Sequence, residues 1–101
     1  MGFLSFIFGA KKRQVEDYLK NNAVILDVRT QQEWDSGHIA NSVHIPLNEL
    51  NDRVDEVKAL NQPIIACCAS GVRSAKAAKF LNLNNIEAIN GGGWLNVKSR
   101  L

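Results

Sequence analysis

The sequence predicts an α/β domain in which helices cover both faces of a mainly parallel sheet. Two runs, Val24 to Val28 and Ile64 to Cys67, are almost continuously apolar and rich in branched residues, as in strands that are buried on both faces. Segments with apolar residues every three or four positions alternate with these runs. Such alternation indicates crossover connections between parallel strands. The 101 residues suit one domain with a single modest core.

The elements are justified in chain order by their periodicity. The first predicted helix covers 12–20, where Val15, Tyr18 and Leu19 share one face. After the strand over 24–28, we predict helical turns over 31–35, a strand over 42–45, a helix over 47–60, a strand over 64–67, a helix over 74–81, a strand over 86–89 and a helix over 94–100. The glycines at 91–93 are expected to break the chain before the last helix.

The first residues form an apolar segment with positive charge after it. We predict a leader over 1–11 and the folded domain over 12–101. The charges at 11–13 follow the apolar run rather than precede it, and the run is too short to span a bilayer, which argues against a secretory signal. Two interpretations stay open: the leader docks on the domain or frays, or residues 1–13 insert shallowly into a membrane surface.

Charge and cysteine usage exclude several classes of protein. Twelve basic and ten acidic residues are scattered along the chain, so there is no basic, aromatic-interleaved patch that would indicate nucleic-acid binding. The two cysteines, Cys67 and Cys68, are adjacent and cannot form a framework of disulfides that close loops. His38 and His44 have no partner at metal-ligand spacing, so neither a metal nor another cofactor is expected. Two reduced thiols favour a cytoplasmic location.

A loop of small residues follows the second buried strand and leads into a helix. It comprises Cys68, Ala69, Ser70, Gly71, Val72, Arg73 and Ser74. Small side chains let backbone N–H groups turn inward and form a nest for negative charge, and the helix start adds unpaired donors. Because Arg73 adds a cation, we expect these groups to converge on Cys68 and lower its pKa, which favours the nucleophilic thiolate. At the end of the first strand, Asp27 and Arg29 are expected to brace this loop.

The loop also carries a family resemblance. Cys68-x-x-Gly71-x-Arg73-Ser74 resembles the active-site loop of the rhodanese family, the single-domain thiosulfate sulfurtransferases. Further similar motifs are Asp27-Val28-Arg29, Glu33-Trp34, Gly37-His38-Ile39, Ile45-Pro46-Leu47 and Gly91-Gly92 with Trp94. The resemblance covers roughly residues 15–98. It implies a three-layer α/β/α sandwich around a mainly parallel, five-stranded sheet.

The resemblance also implies a reaction. The Cys68 thiolate would take a sulfane sulfur from a small anionic donor, either thiosulfate or a persulfide, become a persulfide itself, and pass the sulfur to a thiophilic acceptor, cyanide or a thiol. One alternative is a persulfide carrier with low turnover that exchanges sulfur with partner proteins. Another is phosphatase or arsenate reductase-like chemistry through Cys67, because Cys67-x5-Arg73-Ser74 also fits the bare pattern of cysteine-dependent phosphatases.

Several roles follow from the residues around the loop. Motif spacing favours Cys68 over Cys67 as the nucleophile, and alternation along a strand predicts that Cys67 points to the opposite face. Ser74 is interpreted as a helix-terminal residue that satisfies backbone donors rather than as a catalytic group. His38 is excluded from catalysis, since a thiolate that is already formed needs no base. Arg73 opposes the helix dipole, which points to a functional role.

Overall fold

The computed structural model describes residues 2–101, and side chains from residue 9 onward. The helices are α1 (Gly2–Lys20), α2 (Gln31–Asp35), α3 (Leu47–Leu50), α4 (Val54–Leu60), α5 (Val72–Leu83) and α6 (Trp94–Lys98). The strands are β1 (Val24–Asp27), β2 (Val43–His44), β3 (Ile64–Cys68) and β4 (Ala88–Gly93). The strands pair in parallel in the order β2-β1-β3-β4.

Each face of the sheet is covered by helices, so the core has two halves. On one face, Ala66 and Cys68 of β3 pack with buried residues of α3, α4 and α5. On the other face, Ile65 and Cys67 pack with residues of α1 and α6. All five residues of β3 are buried because helices cover both its faces. The predicted three-layer α/β/α architecture is therefore confirmed.

The predicted number of strands is wrong: the described residues form four strands, not five. Backbone groups on the outward edge of β4 form hydrogen bonds with side chains. The Asn82 amide nitrogen donates to the carbonyl of Ala88 at 3.0 Å, and the Asn82 carbonyl oxygen accepts from the Ala88 N–H at 3.0 Å. Lys11 Nζ donates to the carbonyl of Asn90 at 2.8 Å. A further strand would pair with these same backbone groups. Because side chains already bond them, the edge is protected against pairing with another strand.

The first helix is longer than the sequence predicts. It begins at Gly2 and continues without a break to Lys20, so residues 2–11 of the predicted leader belong to the same helix as the domain. The apolar side chains at 1–8 lie outside the described residues, and neither docking of the leader nor membrane insertion is tested. Among the described helices, none combines the length and apolar character needed to cross a bilayer.

Two other elements differ from their predictions. The helix predicted over 47–60 is interrupted at 51–53, where Arg53 leaves helical geometry with φ −116° and ψ 15°. The glycines at 91–93 do not break the chain but extend β4, with a register shift opposite Ala66 and Cys67. Glycine is needed there because a Cβ on Gly91 would lie 2.6 Å from Cγ2 of Ile65. A local pattern does not report this tertiary contact.

Candidate active site

The candidate site lies at the carboxyl end of β3, where open α/β sheets collect their ligands. Strand β3 ends at Cys68, and the chain turns through 69–71 into α5. Gly71 makes this turn in the left-handed region, with φ 102° and ψ −6°, which only glycine adopts without strain. The predicted loop is therefore formed, with its cysteine at the last residue of the strand.

Three donors are directed at the sulfur of Cys68. The Gly71 N–H donates at 3.0 Å, and the backbone N–H and hydroxyl of Ser74 donate at 3.4 and 3.3 Å. Loop and helix start thus supply the inward-facing amides that the sequence predicts. Ser74 does not cap the helix: the N-cap residue is Gly71, without a side-chain hydrogen bond. The interpretation of Ser74 as a capping residue is wrong, since its hydroxyl faces the sulfur.

The hydrogen bonds outweigh burial in setting the ionisation of Cys68. Burial raises the pKa of this thiol, but the hydroxyl and N–H of Ser74 lower it, as do the N–H groups of Gly71 and Ser70. The net result is a pKa below the ordinary value for cysteine. Hydrogen bonds to an anion favour the charged form, so the site increases the fraction of thiolate near neutral pH.

The sulfur lies at the floor of the loop rather than at its mouth. Cys68 is 1% exposed, whereas the loop residues Ala69 and Ser70 above it are exposed. The sulfur is therefore almost completely covered by the surrounding protein.

Arg73 does not join the donors on the sulfur, contrary to the expectation from sequence. Its guanidinium forms a bidentate pair with Glu33 on α2, at 2.7 Å from Nη1 to Oε1 and 2.9 Å from Nη2 to Oε2. The bond to Arg73, with that from the Thr30 N–H next, lowers the pKa of Glu33 to about 2. Glu33 was not singled out as a site residue from the sequence, although Thr30-x-x-Glu33 forms a capping box that could have placed it at a helix start.

Asp27 and Arg29 form a buried pair that holds α2 in place. Arg29 Nη2 lies 2.8 Å from Asp27 Oδ2, and the residues are 4% and 1% exposed. The same guanidinium donates to the carbonyls of Glu33 at 3.3 Å and Gly37 at 2.7 Å, and stacks over Trp94 at 4.5 Å. Because α2 carries Glu33, the pair braces the loop indirectly, through the residue that binds Arg73.

Asn90 on β4 is a second residue that sequence reasoning missed. Its side-chain oxygen accepts from the Ser74 hydroxyl at 2.7 Å and from the Gly92 N–H at 2.9 Å. Its amide nitrogen donates to the carbonyl of Gly71 at 3.0 Å. The only signal in the sequence is a polar residue directly before the glycines, which by itself does not indicate a partner.

Two other candidates lie outside the site. Cys67 is fully buried on the opposite face of the sheet, as alternation predicts, and burial, with smaller effects of nearby charges, raises its pKa to about 12. The His38 ring stacks on Trp34 at 3.6 Å, and His44 stacks on Trp34 at 4.6 Å, so His38 contributes to packing around α2. Among the described residues, no three His, Cys, Asp or Glu side chains are grouped to hold a metal ion.

Comparison with known proteins identifies the family. A family model described as the rhodanese-like domain matches residues 11–99. The chain is 30% identical over 82 residues to a thiosulfate sulfurtransferase, GlpE, of Pseudomonas syringae pv. syringae, covering 78% of this chain and 76% of the relative. It is 38% identical over 65 residues to a putative sulfur carrier protein, YrkF, of Bacillus subtilis, covering 64% of this chain and 35% of the relative. The chain spans about half or less of the length of several curated relatives.

Solved structures agree with this result. The fold is similar to that of a rhodanese-like domain protein from Staphylococcus aureus, with a TM-score of 0.69 and 35% sequence identity over 81% of this chain and 85% of that one. The family match covers most of the chain, and the fold and parallel sheet agree with it. The chain belongs to the rhodanese-like domain family.

Proposed function

We propose that this protein is a sulfurtransferase that moves a sulfane sulfur through a persulfide on Cys68. The observation that carries the proposal is the set of three donors on a single sulfur at the end of β3. They stabilise the thiolate, which is the nucleophilic form of cysteine. The similarity to a thiosulfate sulfurtransferase and to a sulfur carrier supports sulfur transfer as the general chemistry.

The first half-reaction forms the persulfide. The Cys68 thiolate attacks the outer sulfur of thiosulfate, a new S–S bond forms to Sγ, and the S–S bond of thiosulfate breaks. Sulfite leaves with the electron pair of that bond. The negative charge of the enzyme then lies on the terminal sulfur of the persulfide, which extends from Sγ towards the exposed part of the loop. Loop N–H groups that face inward stabilise this charge.

The second half-reaction returns the thiolate. A thiophilic acceptor, cyanide or a thiolate, attacks the terminal sulfur and forms a bond to it, while the S–S bond to Sγ breaks. Cys68 leaves as the thiolate with the electron pair. The acceptor becomes thiocyanate or a new persulfide. No base is needed for this step when the acceptor is already an anion, which agrees with the position of His38 on Trp34, outside the loop.

The burial of the Cys68 sulfur and the positive charge near it favour small anionic donors. Cys68 is 1% exposed, so the reacting atom of the donor must reach past the loop backbone. Arg73 on the first turn of α5 supplies positive charge within Coulombic range of Cys68, although Glu33 offsets part of it. Thiosulfate has a terminal sulfur and a negatively charged head, and it matches both features.

A persulfide carrier is the second candidate. The similarity to a putative sulfur carrier favours it, and so does Val72, an apolar residue on the loop that is 65% exposed and available for contact with a partner protein. A carrier would form the same Cys68 persulfide but turn over slowly with small thiols. Single-turnover transfer to cyanide, compared with steady-state turnover, separates the two candidates.

Phosphatase chemistry through Cys67 lacks support from the geometry. Cys67 is fully buried among residues of α1 and α6. Its thiol stays protonated well above neutral pH, since burial raises the pKa to about 12. The nucleophile of such an enzyme must face the anion-binding loop as a thiolate, and Cys67 meets neither condition.

The decisive experiment is mass spectrometry of the protein after treatment with thiosulfate. We expect a mass increase of one sulfur atom on the peptide that contains Cys68, and its removal by cyanide. Cys68→Ser should prevent the adduct and abolish thiocyanate formation, while Cys67→Ser, the matched control, should keep both. An unmodified Cys68, or an adduct that survives Cys68→Ser, would overturn the proposal.

A further inference from the structure

The carboxamide of Asn90 has only one orientation that satisfies its neighbours. The carbonyl of Gly71 lies 3.0 Å from one terminal atom of the side chain and can only accept. The N–H of Gly92 lies 2.9 Å from the other and can only donate. The nitrogen must therefore face Gly71, and the oxygen must face Gly92 and Ser74.

Ser74 has a single proton for two acceptors. Its hydroxyl oxygen lies 2.7 Å from Oδ1 of Asn90 and 3.3 Å from Sγ of Cys68. Two oxygens at 2.7 Å need a proton between them, and only the hydroxyl of Ser74 can supply it. When that proton faces Asn90, the serine oxygen presents a lone pair to the sulfur, which suits a neutral S–H. When the sulfur is anionic, the hydroxyl must turn to Sγ and give up its bond to Asn90.

We propose that Asn90 is a positioning residue that competes with Cys68 for the proton of Ser74. It holds the hydroxyl when the sulfur is neutral and releases it when the sulfur is charged. The carboxamide thus tunes how strongly the site favours the thiolate. Asn90 therefore acts on the sulfur through Ser74, without a bond to it.

This role fits the proposed sulfur-transfer cycle, on which only this part of the inference rests. In the free enzyme the thiolate draws the hydroxyl to Sγ. After the S–S bond forms, Sγ is neutral and the hydroxyl returns to Asn90. When the acceptor removes the outer sulfur, charge reappears on Sγ and the hydroxyl turns back. The leaving thiolate therefore gains a donor as its charge develops, which lowers the barrier to persulfide cleavage.

Other ionisable groups lie on the elements that pack around the site. From α5 and α2 these are Arg73 and its partner Glu33, whose pKa is about 2. At the end of β1 they are Asp27 and Arg29, paired at 2.8 Å. From α1 the ammonium of Lys11 lies on the backbone of Asn90. On β3, the thiol of Cys67 lies on the opposite face of the sheet, and burial raises its pKa to about 12.

Two substitutions of opposite chemistry test the role of Asn90. Asn90→Leu removes the competing acceptor, so the hydroxyl turns to Sγ, and the pH midpoint of Cys68 alkylation should fall. Asn90→Asp is close in shape but a stronger acceptor with negative charge, and the midpoint should rise. The rate of reaction with iodoacetamide is measured against pH in a Cys67→Ser background. The readout does not depend on sulfur transfer, so it can succeed even if the proposed function fails.

Controls separate this role from a structural one. Asn82→Leu breaks bonds between α5 and the same strand and should lower stability without moving the midpoint. In a Ser74→Ala background, Asn90→Leu should no longer lower the pH midpoint of Cys68 alkylation. If the leucine variant does not fold, Asn90→Ala removes the same acceptor with no added bulk. Midpoints that move in the same direction in the acidic and apolar variants, or do not move, would overturn the proposal.

Discussion

Glu33 and Arg73 are 40 residues apart in the sequence, yet their side chains meet in a bidentate ion pair with N–O distances of 2.7 and 2.9 Å. The pair joins α2, after β1, to the first turn of α5, after β3. Both side chains are about one-third exposed. Arg73 also lies within Coulombic range of Cys68, so the pair sets part of the electrostatic environment of the sulfur.

Loss of the guanidinium should weaken donor binding. Arg73→Ala removes the cation and leaves the Glu33 carboxylate unpaired, so that it repels an anion. We expect the KM for thiosulfate to rise by about 10- to 100-fold, which corresponds to the roughly 1.5–3 kcal/mol of a charge-assisted interaction. The KM is measured by steady-state kinetics. Arg53→Ala is the control, because Arg53 also pairs with glutamates, Glu49 and Glu56, but on α3 and α4; an equal rise there would contradict the prediction.

The same pair should make stability depend on pH in acid. The folded-state pKa of Glu33 is about 2, below the roughly 4.3 of an unfolded chain, so its contribution is present above pH ~4.3 and is lost as the pH falls towards ~2. Urea denaturation at several pH values measures the free energy of unfolding. In Glu33→Gln the decrease over this range should be smaller than in the wild type. An unchanged slope would show that the pair does not stabilise the fold.

The buried pair of Asp27 and Arg29 should contribute more to the free energy of unfolding than the exposed ion pairs do. Asp27→Asn removes the charge that compensates a guanidinium only 4% exposed, and breaking such a pair costs about 3–5 kcal/mol. Arg53→Gln, which breaks exposed pairs, should lower the free energy of unfolding much less. Chemical denaturation of both variants at neutral pH provides the comparison. Equal losses would mean that burial of the pair has little energetic effect.

The two adjacent cysteines should differ sharply in reactivity. Burial raises the pKa of Cys67 to about 12, whereas the hydrogen bonds on Cys68 lower its pKa below the ordinary value. At pH ~8 iodoacetamide should label Cys68 and leave Cys67 unlabelled in the folded protein, since only the thiolate reacts. Peptide mapping locates the label, and unfolding in guanidinium chloride should expose both thiols. Because Cys68 is only 1% exposed, a bulky maleimide should react with it more slowly, relative to free cysteine, than iodoacetamide does.

Sequence patterns predicted the fold class because they record which faces of each element avoid water. The apolar run at 64–67 marks a strand buried on both faces, and the structure has it between two helical layers. The small residues from Cys68 to Gly71 likewise predicted a loop with inward N–H groups, and those of Gly71 and Ser74 bond the sulfur. These features depend on residues close together in the chain, so a local pattern carries them.

Tertiary structure alone decided the partners that come from distant parts of the chain. Nothing near Arg73 in the sequence indicates Glu33, and nothing near Ser74 indicates Asn90, 16 residues later. The bonding at the edge of β4 is another example, because the side chains of Asn82 and Lys11 come from α5 and α1. The periodicity of apolar residues along a segment indicates which side chains are buried. The hydrogen-bond partner of a side chain depends instead on which elements the folded chain brings together. Sequence therefore determined the candidate cysteine and its loop, and the packing of α2 and β4 against that loop determined the hydrogen bonds and ion pairs around it.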